Sequence, residues 1–186
     1  MLSMKTGFNM SATYNMARSA ELPEIAEQAL GEMPIRLDFK SSPTLDSIEN
    51  SLKCYEEVYG AYPEIIVVDN LTNVVGDSED GGYAALDQLC DYLHDMARAT
   101  EACVIVLHHV TGPFNDGNKP IPLSGIKGQV SRVPELILTL YKEGVGEDIT
   151  LKVSAVKNRG GTADPTGQTS ADLRFVGKTM TIEDYP

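Results

Sequence analysis

A chain of 186 residues, 42% hydrophobic and 23% charged, is long enough for one domain with a substantial core and has an ordinary soluble globular composition. Its net charge of −12 argues against a dedicated nucleic-acid coat protein. No apolar run approaches the roughly 20 residues that span a bilayer, so no membrane association is expected.

The N-terminal MLSMKTGFNM lacks the basic-then-apolar order of a secretory signal. Cys54, Cys90 and Cys103 have no metal-ligand spacing. The expectation is reduced core thiols in a cytoplasmic protein. The charge is unevenly spread. Residues 1–110 carry 6 Lys/Arg against 18 Asp/Glu, whereas residues 111–182 carry 9 against 7. Any contact with a polyanion therefore belongs to the second part of the chain, and the first presents a solvated acidic face.

In chain order, residues 8–30 read as helical, with Phe8, Tyr14, Ala17, Leu22, Ile25 and Leu30 as a loose apolar set interrupted at Pro23. IRLDF at 35–39 is a short strand candidate. Ser41-Ser42-Pro43-Thr44 then opens a helix, since Pro fits a first turn and Ser or Thr caps one. Leu45, Ile48, Leu52, Tyr55 and Tyr59 form its buried stripe, and Gly60 ends it.

IIVVD (65–69) reads as a strand apolar on both faces, as a central parallel strand is. A helix over 83–100 follows, with Leu86, Leu89, Leu93 and Met96 on one face. ACVIVLHH (102–109) is a second strand of the doubly buried kind. After a Gly/Pro/Asn-rich loop come ELILTLY (135–141), ITLKVSAVK (149–157), ADLRFV (171–176) and TMTIED (179–184). This order predicts an α/β fold: a mostly parallel central sheet flanked by helices, with a C-terminal antiparallel hairpin extension. In such sheets chemistry collects at the carboxyl ends of the strands, where Asp69 and His108/His109 fall.

Three constellations stand out. Asp69, at the end of an aliphatic strand, can position a magnesium-bound water near nucleotide phosphates, although many buried strands end in an Asp that only caps a turn. The histidine pair of LHHVTG can sense a phosphate or be a satisfied turn. With His94 the only other histidine, a zinc site lacks its usual ligands. VSAVKNRGG delivers Lys157 and Arg159, two residues apart, to a glycine-rich tip, which is either a cationic finger for a phosphate or a solvated basic turn.

Taken in order, these motifs resemble the RecA-like motor core of DnaB-type replicative helicases and their phage-encoded relatives. The resemblance runs through IRLDF–SSPTLDSIENSLK with Asp38, Asp69-Asn70, His109, the Gly125–Arg132 segment of PLSGIKGQVSRVPELIL, and Lys157-Asn158-Arg159-Gly160. It covers nearly the whole chain, as a single and partial RecA-like ATPase domain. It implies ATP and Mg²⁺ as cofactors, with Asp69 acting on Mg²⁺ indirectly and Asp69, Asn70 and His109 at the nucleotide. It further implies His109 as phosphate sensor, and Lys157 and Arg159 acting on a neighbouring subunit's ATP. Single-stranded DNA would meet the 111–132 loop, where Lys119, Lys127 and Arg132 face one acid, Asp116. The partners implied are that DNA and further copies of the chain in a hexameric ring.

Two departures accompany the resemblance. The 186 residues contain no Gly-x-x-x-x-Gly-Lys-Ser/Thr loop, and GDSEDGGY (76–83), glycine-rich but carrying Asp77, Glu79 and Asp80, would repel a triphosphate. Where the family has a strand reading Phe-Ser-Leu-Glu, this chain has Leu2-Ser3-Met4-Lys5, which puts Lys5 at the general base. The expectation is a motor domain truncated or diverged at its Walker A end and inactive alone. A recombinase or recombination mediator, or a non-catalytic assembly module on the same fold, are the alternatives.

Overall fold

The computed structural model describes residues 1–19, 22–76, 83–146 and 148–185. The acidic 77–82 part of GDSEDGGY lies outside the described residues. Two compact units share the chain. One comprises Met1–Asp38, Leu140–Val153 and Ser170–Pro186, the other Phe39–Thr139 and Ser154–Thr169.

The first unit begins with three helices, α1 (Leu2–Thr6), α2 (Met10–Arg18) and α3 (Leu22–Leu30). Asn9 caps α2 by accepting from the Ala12 N–H. Pro23 sits in the first turn of α3, where its missing N–H costs no helical bond. The expected continuous helix is therefore two helices. The expected strand at residues 2–5 is also a helix. Gly7, at φ 73°, closes α1, and the Ser3 hydroxyl turns inward to Thr13 Oγ1 at 2.8 Å. IRLDF forms no strand, since no neighbouring strand pairs with it among the described residues.

Four antiparallel strands follow in the order β3 (Leu136–Val145), β4 (Asp148–Asn158), β5 (Ala171–Val176) and β6 (Thr181–Asp184). Ile149 pairs with Phe175 and Val153 with Ala171, while Phe175 pairs with Ile182. Lys152 reaches Asp172 at 2.6 Å and Glu143 at 3.5 Å, tying three strands together.

The second unit holds the main core. Thr44 caps α4 (Leu45–Tyr59), and Gly60, at φ 76°, ends it. Strands β1 (Ile65–Val68) and β2 (Cys103–Val106) pair in parallel, Ile65 with Cys103 through Val68 with Val106. Between them runs α5 (Tyr83–Thr100). Ile66, Val68, Leu71, Leu89, Leu93, Met96 and Val156 form the buried cluster, with Leu45, Ile48 and Leu52 of α4 packed against it.

The sheet differs from the one expected. Its parallel part has two strands only, and the later strands form a separate antiparallel sheet. Nor are β1 and β2 buried on both faces. Ile65 is 58% exposed, Val67 59% and Ile105 46%. Both helices that pack on this pair serve the Ile66/Val68 side, so the alternate side chains meet no layer among the described residues. No helix among the described residues is long and apolar enough to cross a membrane.

Candidate nucleotide and nucleic-acid site

The parallel register of β1 and β2 decides where the site residues go. Because Val68 stands beside Val106, Asp69-Asn70 and His108-His109 emerge at the same carboxyl end. Beyond the strands the pairing continues: the Leu107 N–H donates to the Val68 carbonyl at 2.9 Å, and the Leu71 N–H to the Leu107 carbonyl at 3.0 Å. The Asp69–Asn70 peptide is cis. Asn70 then caps the short turn Leu71–Asn73 by accepting from the Thr72 N–H at 3.0 Å. The Asp69 side chain is exposed, as a residue that meets a hydrated cation must be.

The strand end at the histidines is tied to the far limb of the loop. The Lys127 N–H donates to the His109 carbonyl at 3.0 Å, and the Thr111 N–H to the Gly125 carbonyl at 2.7 Å. An antiparallel bridge joins Val110 to Ile126. The His108 ring closes the clamp, its Nε2 lying 2.6 Å from the Lys127 carbonyl. A carbonyl only accepts, so Nε2 carries the proton and Nδ1 is a bare acceptor. That Nδ1 is buried and has no partner. Burial, above all, lowers the His108 pKa, and the neighbouring His109 and Lys127 add to the effect.

Within the loop, Gly125 leaves room for Phe114 and Ile121: a Cβ there would lie 3.0 Å from the Phe114 ring. The Lys119 amine sits over that ring at 5.0 Å from its centre. The Ile121 carbonyl accepts from the buried Thr139 hydroxyl at 2.9 Å. Gly167, at φ 71°, presses its α-carbon against the same carbonyl, and Ser154 Oγ donates to the Gly167 carbonyl at 3.0 Å. The Leu123 N–H donates to the Pro165 carbonyl at 2.9 Å. Loop 111–126 and loop 159–170 are thus zipped together. Asp164 organises the second loop by accepting from Thr166 and Thr169, which holds its carboxyl well below the usual carboxylate range.

The three loop cations therefore differ. Lys119 and Lys127 are exposed. Arg132 is ion-paired with Asp91 at 2.6 Å and Asp87 at 3.4 Å on α5, and these carboxylates raise its pKa. Lys157 and Arg159 are brought to the 131–135 segment instead. Lys157 Nζ donates to the Ser131 carbonyl at 2.6 Å, and Arg159 pairs with Glu135 at 2.6 Å. Desolvation, then the Arg159 charge, lowers the Lys157 pKa. Lys5 lies in α1, within the other unit.

Sequence reasoning missed His108 as the clamp, Asp87 and Asp91 as partners of Arg132, and Glu135. Only the Asp164 turn carried a local signal, a carboxylate two residues before a Thr. A cavity of about 480 Å³ is lined by Leu71, Thr72, Leu86, Leu89, Thr111 and Lys127, largely aliphatic and without Asp69. Among the described residues no cluster of three His, Cys, Asp or Glu could hold a metal ion. One carboxylate suits Mg²⁺, which keeps most of its waters and takes the rest of its ligands from phosphates. Asp69 fits that part. The backbone cradle that would hold the phosphates is not among these residues.

No protein-family model matches the chain. It is 51% identical over 188 residues to the Gene 65 protein of Mycobacterium phage L5, an alignment covering 99% of this chain and 70% of that protein. It is 50% identical to the Gene 65 protein of Mycobacterium phage D29, covering 99% and 81%. Among solved structures, the ATPase domain of a DnaB-like helicase superposes with a TM-score of 0.79 at 17% identity, over 100% of this chain and 68% of that one. A second DnaB-like replicative helicase, solved in a study of its interactions with primase, gives 0.80 at 18% identity, over 100% and 47%. The chain belongs to the family of the mycobacteriophage Gene 65 proteins, built on the RecA-like core of DnaB-type helicases.

Proposed function

We propose that this chain is the motor-domain portion of a DnaB-like, hexameric, ATP-dependent helicase that unwinds DNA in replication. The observation that carries this reading is the parallel register of β1 and β2. It sets Asp69 and the histidine pair at one sheet end and suspends the loop from the second of them. The match to a helicase ATPase domain over the whole chain supports treating both units as parts of one ATPase domain.

In this reading Asp69 holds a magnesium-bound water, Asn70 shapes the turn behind it and His109 senses the phosphate. When bound, ATP·Mg²⁺ supplies the phosphoryl chemistry, on phosphates cradled by residues outside this chain. Lys157 and Arg159 serve the ATP of an adjacent subunit. Lys119 and Lys127 contact single-stranded DNA, and Arg132 joins them only by exchanging Asp91 for a phosphate. Copies of a weakly basic loop around one channel reconcile an acidic subunit with a polyanion.

The test is to add the chain, wild type or with Lys157→Ala and Arg159→Ala, to a P-loop-bearing ATPase subunit of DnaB type. A finger in trans is worth roughly 10³–10⁵ in rate, so the wild type stimulates turnover and the double variant does not. The chain alone neither binds ATP tightly nor hydrolyses it. Equal stimulation by both forms, or robust hydrolysis by the chain alone, refutes the reading.

A non-catalytic assembly module on the same fold is the second reading, favoured by the absence of a Gly-Lys-Ser/Thr loop from these 186 residues. ATP turnover by the assembled complex that depends on Asp69 decides against it.

A further inference from the structure

The two cations of the finger share one mount. The Arg159 N–H donates to the Glu135 carbonyl at 3.0 Å. Its guanidinium donates from one nitrogen to Glu135 Oε1 at 2.6 Å and from another to the Arg132 carbonyl at 2.7 Å. Lys157 Nζ donates to the carbonyls of Ser131 at 2.6 Å and Arg132 at 3.2 Å. Glu135 thus grips Arg159 through both main chain and side chain.

The segment that carries these acceptors is itself fixed. His108 and His109 hold it at Lys127, and α5 holds it at Arg132 through Asp87 and Asp91. Stability does not account for the Glu135–Arg159 pair. The two side chains are 56% and 50% exposed, and exposed pairs of this kind add little. A planar guanidinium bonded at two of its nitrogens, however, is confined to one orientation. The fork's other N–H groups remain for a phosphate.

We propose that Glu135 is the positioning residue of the Lys157–Arg159 finger, holding the Arg159 guanidinium in the orientation in which it meets a neighbouring subunit's phosphate. This rests on the finger reading above and adds a residue to it. The last turn of the DNA-facing loop then doubles as the finger's seat, so the two act from one rigid segment.

Two measurements test this. On the chain alone, nitrogen NMR reports rotation of the Arg159 guanidinium. Wild type and Glu135→Asp show slowed rotation with separate Nη signals, and Glu135→Ala shows averaged ones. Free rotation in the wild type, or slowed rotation in Glu135→Ala, overturns the proposal. In the mixed assay with a P-loop-bearing subunit, Glu135→Ala lowers stimulated kcat roughly 10- to 100-fold, the scale of a misplaced catalytic group. KM for ATP stays unchanged, because a finger acts in the transition state. Glu135→Asp recovers part of the loss, and thermal unfolding of both variants matches wild type. Unchanged or raised stimulation by Glu135→Ala, with Arg159→Ala impaired, sinks the Glu135 role and leaves the finger standing. Arg159→Ala without effect removes both.

Discussion

The His108 ring lies 2.6 Å from the Lys127 carbonyl, nineteen positions along the chain, while the Lys127 N–H returns to the carbonyl of His109. One lysine's peptide groups are thereby held by two consecutive histidines. The strand end that faces a nucleotide and the loop that faces DNA are joined by bonds a few ångströms long. A shift of the histidine backbone must move Lys127.

This clamp is pH-dependent in a defined direction. Burial lowers the His108 pKa, so the folded state favours the neutral ring and the unfolded chain takes up protons first as pH falls. The clamp's contribution is complete above the ordinary imidazole value of about 6.5 and is lost as pH drops through the lower folded value. Hydrogen exchange at the Lys127 amide is expected to be slow at pH 7.5 and faster at pH 5. In His108→Phe that pH dependence disappears. A wild-type amide equally protected at both pH values contradicts the assignment.

Single-stranded DNA binding is expected to be weak, with a shallow salt slope set by Lys119 and Lys127. Each phosphate contact on a single strand contributes about 0.7 to the slope of log K against log salt. Lys127→Glu should flatten the slope by about that amount in an oligothymidine titration. Arg132→Glu should cost less affinity but lower the melting temperature, because it places a third carboxylate beside Asp87 and Asp91. Equal DNA effects of the two substitutions would show that Arg132 leaves its ion pairs in the free protein.

The cysteines should react unequally. Burial, with the charges of Asp87 and Asp91, pushes the Cys90 thiol up to about 11, whereas Cys54 and Cys103 are exposed. The thiolate is the reactive form. Brief alkylation at pH 8 followed by mass spectrometry should modify Cys54 and Cys103 and spare Cys90. Modification of all three at similar rates would count against the α5 packing.

Gly167 should tolerate no side chain. A Cβ there would lie 2.5 Å from the Ile121 carbonyl oxygen, at a φ of 71° that disfavours L-residues in any case. Gly167→Ala is expected to destabilise by about 1–3 kcal/mol from backbone strain, with the steric clash added. Denaturant melts measure this. A loss under about 0.5 kcal/mol, the size of an ordinary surface substitution, would mean the loops are not zipped at this point.

What the sequence by itself determined is local or directly periodic. Thr44 caps and Gly60 closes α4 because a hydroxyl and a missing Cβ act within one turn of the residue that carries them. The apolar stripe of α5 follows from its 3.6-residue period, and the descent of Asp69 and the histidines to one sheet end follows from two strands joined by one helix. What only the tertiary structure decided depends on partners distant in sequence. Arg132 reads as a loop cation until Asp87 and Asp91 come beside it. Lys157 and Arg159 read as an open finger until the 131–135 carbonyls and Glu135 receive them. The aliphatic runs of β1 and β2 read as doubly buried, yet one face is exposed, because a run of Ile and Val does not encode how many layers pack on it. Periodicity specifies which side chains share a face. Only folding in three dimensions determines what, if anything, lies against it.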